Sequence, residues 1–160
     1  MDAHHAAATL FQRMAVLAGI HLLKLQANVP DVVRRQAVLV GQMNRFGRLP
    51  HRRRSSIEHV PLMPLDVARQ VNRLLDRDDV REFVRTCSPD LTERFSWVRN
   101  RELLAKDVLE SLGRLLQTAK KAERAAAHPP RDYNSYCKMV SQLKKDLKST
   151  FNKLEPELGR

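Results

Sequence analysis

Apolar positions recur at steps of three and four along most of the chain, the spacing of one helix face. Leu10, Phe11, Met14, Leu17, Ala18, His21, Leu22 and Leu25 form the first such stripe, closed by Asn28 and Pro30. Pro30 suits the first turn of a second helix, where its missing N–H costs nothing, and Asp31 complements the N-terminal dipole. Val32, Val33, Gln36, Leu39, Val40, Met43 and Phe46 carry that helix to Gly47, a natural stop. So short a connection predicts an antiparallel pair over residues 1–47, with Leu10, Met14, Leu17, Leu25, Val40 and Met43 as its packing face.

The pattern then vanishes. Residues 48–63 read as a basic flexible linker, because Pro50 and Pro61 exclude helix interior and Arg48, Arg52, Arg53 and Arg54 repel one another. From 64 to 160 the periodicity returns. Leu65, Val67, Ala68, Val71, Leu74 and Leu75 predict a short helix, and Val80, Phe83, Val84 and Cys87 another, with Asp76-Arg77-Asp78-Asp79 bending or breaking the chain between them. Ser88-Pro89-Asp90 has the residue types of a helix start, with Ser as N-cap. Beyond it Leu91, Phe95, Val98, Glu102, Ala105, Leu109, Leu112, Leu116 and Ala119 alternate steps of four and three. That is the ~3.5-residue period of a coiled-coil or bundle seam, with Glu102 its only charged member. Pro129-Pro130 ends this long helix. A last one from about Asp132, carrying Tyr136, Val140, Leu143, Leu147, Thr150 and Leu154, is expected to fold back on it. No hairpin dipeptide separates alternating apolar runs, so the fold class is all-α: a helical bundle of antiparallel hairpins with one long coiled-coil-like helix.

Composition supports a core, at 42% hydrophobic residues, and the chain's 160 residues suit one domain with a helical appendage. The net charge of +11 changes the picture further, since it favours an acidic partner, either nucleic acid or an acidic protein face. Aromatics at 5% leave few platforms for stacking bases. Cys87 and Cys137 have no metal-site spacing and read as free thiols of a reducing compartment. The apolar run Met14 to Leu23 is shorter than the about 20 residues a bilayer crossing needs, so no membrane association is expected.

Candidate chemistry is sparse. No phosphate-binding glycine loop, zinc-protease helix or nucleophile elbow occurs. His4 and His5 are neighbours and point to different helix faces, and His21 falls on an apolar face as a satisfied core histidine. The carboxylates Asp76, Asp78, Asp79 and Glu82 alternate with Arg73, Arg77 and Arg81, which points to surface ion pairs. No catalytic residue, metal or cofactor is expected. In the linker, Arg52-Arg53-Arg54 precede Ser55 and Ser56, a pattern that basophilic kinases read, and a phosphate there would remove nearly two charges from the patch.

Two segments carry a resemblance: Val60-Pro61-Leu62-Met63-Pro64-Leu65-Asp66-Val67 ahead of a short helix, and Arg81-Glu82-Phe83-Val84 ahead of a helix containing Leu103 to Leu112. In this order, after two amphipathic helices, the chain from Leu10 to Leu112 resembles the family of Mediator complex subunit 10. Where that family has a Gly-Arg-Asn-Pro turn, this chain reads Leu74-Leu75-Asp76-Arg77-Asp78-Asp79. The resemblance implies a nuclear, non-enzymatic coactivator subunit in transcription regulation, bridging regulators and RNA polymerase II. From the residues themselves, the long apolar seam Leu91 to Ala119 implies partner helices, because a small chain seldom buries so much alone. The expected function is therefore a helical scaffold subunit of a large complex. The alternative is a basic RNA- or DNA-binding component such as a ribosomal or mitoribosomal protein, placed in the mitochondrion if the latter.

Overall fold

In the computed structural model of the chain, residues 3–46 and 62–159 are described, residues 42–46 by their backbone alone. The fold is all-α, with α1 Ala3–Ala27, α2 Asp31–Phe46, α3 Leu65–Leu75, α4 Asp78–Cys87, α5 Leu91–Asn100, α6 Lys106–Ala127 and α7 Tyr133–Leu158. No strand occurs among the described residues.

The long helices α1, α6 and α7 pack together as the centre of the molecule. At one end Leu10, Met14 and Leu17 of α1 meet Leu112 and Leu116 of α6 and Leu154 and Leu158 of α7. At the other, Leu25 and Val33 meet Ala122 and Ala125 of α6 and Tyr136 and Val140 of α7. Leu22 touches both clusters. The start of α6 thus lies beside the end of α7, so these two helices run antiparallel and α1 runs parallel to α6.

The α6–α7 turn follows from local chemistry. Pro129 and Pro130 cannot continue α6. The Asp132 carboxylate then caps α7 by accepting from the Ser135 N–H at 3.0 Å. α7 continues through Pro156, past the last expected stripe position, to the buried Leu158. The proline removes the helical donor for the carbonyl of Asn152, an exposed position where solvent access keeps that loss cheap.

Three expectations change. The antiparallel α1–α2 pair gives way to a different arrangement: α1 packs against α6, α7, α3 and α5, whereas α2 packs against α7. Apolar residues on almost every side of α1 require cover from several helices, more than one amphipathic neighbour supplies.

The second change is that the single long helix after Pro89 is two. α5 ends at Asn100, and Glu102 takes φ 53° before α6 begins at Lys106. A left-handed conformation at a residue with a side chain disfavours helix continuation, so the one charged position in the seam is where the chain turns.

The third concerns Ser88, which does not cap α5. Its N–H closes the end of α4 on the Val84 carbonyl at 3.2 Å, and its hydroxyl donates to Glu123 Oε2 of α6 at 2.9 Å.

Candidate functional site

The seam side chains Leu91, Val98, Leu112, Leu116 and Ala119 are all buried inside the bundle. Phe95 and Leu109 are half-buried and Ala105 is exposed at the N-cap of α6. The seam is therefore filled by the chain's own α1 and α7, and a charge at Leu112 would break this fold before it reported on any partner. On the N-terminal face, Leu10, Met14, Leu17 and Leu25 are buried in the same bundle and Val40 is half-buried. Met43 is described by backbone only, and Arg48, Arg52, Arg53, Arg54, Ser55 and Ser56 lie outside the described residues.

Among the described residues, exposed apolar side chains occur on α2 (Val38, Leu39) and α3 (Leu65, Val67, Leu74), and two further surfaces involve the long helices. The first is on α1. Val16 and Leu23 are exposed, and half-buried Ile20 lies between them at helical spacing. Gly19 adjoins this strip, and a Cβ added there would meet no atom within 4 Å. α1 taken whole, at 25 residues, is long and apolar enough to cross a membrane by length and composition, although the run Met14–Leu23 alone is too short. In this fold it is a bundle helix with one uncovered strip.

The second surface is the groove between α6 and α7. Two antiparallel helices form a groove on each side, and α1 occupies one of them. The other holds two adjoining hollows of about 1090 Å³ and 830 Å³, which share Lys121 and Asp146. Its floor includes Leu109, Ala125, Met139 and Leu143, and the Phe95 ring lies over Gly113, whose added Cβ would come within 3.3 Å of Phe95 Cζ. Arg114, Lys121, Arg124 and Lys138 line it and make no ion pair among the described residues. Its carboxylates are Glu110 and Asp146. Sequence periodicity missed this groove because only Phe95, Leu109, Leu143 and Thr150 of the expected stripes reach it, and its sides come from the polar faces of both helices. The signal that could have found it is the recurrence of Lys and Arg at Arg114, Lys121 and Arg124 along one face of α6.

Several other polar groups join elements of the fold. Tyr136 Oη donates to the Leu25 carbonyl at 3.1 Å, satisfying one of the acceptors left open where α1 ends. The Tyr133 N–H, in the first turn of α7, donates to Gln36 Oε1 of α2 at 2.7 Å. Burial raises both phenols to about 12. The carboxylate stretch forms exposed ion pairs, Arg77–Asp79 at 2.7 Å and Arg85–Glu82 at 2.6 Å among them. His21 departs from expectation: it is buried, with neither Nδ1 nor Nε2 hydrogen-bonded.

These features define the class as an all-α helical bundle. Compared with known protein families, curated proteins and solved structures, the chain finds no match in any of the three.

Proposed function

We propose that the chain is a non-enzymatic helical scaffold subunit that joins other proteins in a larger assembly. The observation that carries this reading is the uncovered strip Val16, Ile20 and Leu23 on the bundle's central apolar helix. A partner helix laid on it would bury apolar side chains that α6 and α7 leave in water, and Gly19 would let its backbone come close. The narrower assignment is a nuclear Mediator middle-module subunit linking regulators to RNA polymerase II. It is supported by the resemblance over Leu10 to Leu112, and the identity of co-purifying subunits tests it.

The test is sedimentation of the tagged chain from native extract, beside the Val16→Glu/Leu23→Glu variant. Both positions are exposed, so the variant should keep its fold to within about 1 kcal/mol. The expected result is a large, nuclease-resistant assembly for the native chain and loss of assembly in the variant. Migration of the native chain as a free 18.4 kDa protein overturns the reading. The net charge of +11 favours one other reading, a nucleic-acid-binding component, which predicts an assembly that nuclease disperses and that weakens steeply with salt.

A further inference from the structure

The geometry points to the open α6–α7 groove as the docking site for an acidic amphipathic helix from a partner protein. This deepens the scaffold reading by giving a second interface, on residues distinct from the α1 strip, and by naming the partner's chemistry.

Three observations select that occupant. First, the groove has the same architecture as the one α1 fills, formed by the same two helices on their other side. α6 has 22 residues, a length of about 33 Å, which accommodates a helix of several turns. Second, the floor is apolar, with Leu109 and Met139 half-buried at its surface over the buried Ala125 and Leu143, which suits a hydrophobic helix stripe. Third, the sides carry Arg114, Lys121, Arg124 and Lys138, cations engaged by no carboxylate of the described chain. A helix with Leu on one face and Glu on its flanks answers both features at once. Acidic side chains would meet the cationic sides while its stripe is buried on the floor.

Nucleic acid answers only the charge. The groove's lining offers two rings, Phe95 in one hollow, with Arg99 already over it at 5.7 Å, and the exposed His128 in the other, too few for stacking successive bases.

The experiment titrates the full chain into a labelled synthetic peptide of about 20 residues, with Leu on one helical face and Glu elsewhere, at physiological salt. A peptide with Lys replacing Glu and a duplex DNA of similar length are titrated in parallel. The Glu peptide is expected to bind, and the Lys peptide to bind at least about tenfold more weakly. In Lys121→Glu/Lys138→Glu, with helical circular dichroism unchanged, affinity for the Glu peptide should fall by at least about tenfold. Met139→Glu, which puts a charge on the floor, should weaken the same peptide while leaving the four cations in place. No binding of the Glu peptide, equal binding by the charge-reversed variant, or tighter binding of the duplex than of the peptide overturns the proposal. Because the titration uses isolated protein and leaves the α1 strip unaltered, its failure is distinct from failure of the sedimentation test.

Discussion

His21 puts an imidazole in the packed interior between α1 and its neighbours, 5% exposed and with both ring nitrogens unpaired. Its surroundings pull in opposite directions. Loss of solvent lowers its pKa below the ordinary value, Glu123 on α6 pulls it back up, and Lys24 on its own helix pushes it down, with desolvation the largest of the three. A base whose folded pKa is depressed binds its proton more readily in the unfolded chain. The bundle should therefore lose stability as pH falls from about 6.5 toward the lower folded value, and regain it as pH rises. Urea unfolding of the native chain across this range should show that loss, and His21→Leu should flatten the part that His21 contributes. At neutral pH the same replacement should raise the unfolding free energy by about 1–3 kcal/mol, because it removes buried polar atoms that have no partner. Equal stability of the two proteins at neutral pH would mean that the imidazole finds a partner in solution.

At the scale of elements, the bend between α5 and α6 is the least ordinary piece of backbone. Glu102 holds φ 53° with a full side chain, and Leu103 beside it is 72% exposed. Glu102→Gly removes the Cβ that makes this conformation costly, offset by the greater freedom glycine has in the unfolded chain. The expected net gain is about 0.5–1 kcal/mol in chemical unfolding, and a loss of stability would show that the Glu102 side chain makes a compensating contact.

This bend also shows where sequence reading stops. The α6–α7 turn was legible because its causes are neighbours: two prolines end one helix and Asp132 caps the next. The Leu65–Leu75 and Val80–Cys87 stripes likewise match α3 and α4, with the break where the charges cluster. The bend at Glu102 was hidden because Leu91 to Ala119 keeps one heptad period straight through it, and period alone does not distinguish one rod from two rods sharing a core. The partner of α1 was hidden for a different reason. Its stripe shows which face is buried, whereas the identity of the covering helix depends on packing far along the chain. The cationic groove was hidden because its sides come from polar positions on two helices, which apolar stripes do not register.

For the whole molecule, burial turns otherwise ordinary side chains into reporters of the bundle's integrity. Cys87 closes α4 and Cys137 lies in the first turns of α7, both free and both buried. A thiol reagent should leave both unmodified in native buffer and label both when urea opens the bundle, the two reacting together if α1, α6 and α7 unfold as one unit. Early labelling of Cys87 alone would mean that α3 and α4 detach while the three long helices remain closed.

Parallel packing of α1 beside α6 has a consequence for synthesis. α1 ends at Ala27 and α6, the helix it packs against most, starts only at Lys106, so about 80 residues must be translated before that partner begins to form. At roughly 5–20 residues per second that is a delay of about 4–16 s. During that interval a helix long and apolar enough to enter a bilayer has only the short helices α3, α4 and α5 to pack on. The ribosome therefore presents α1 to chaperones, targeting factors and neighbouring nascent copies before its own fold can claim it. The cellular fate of the chain is thus open to competition while the second half is still being made.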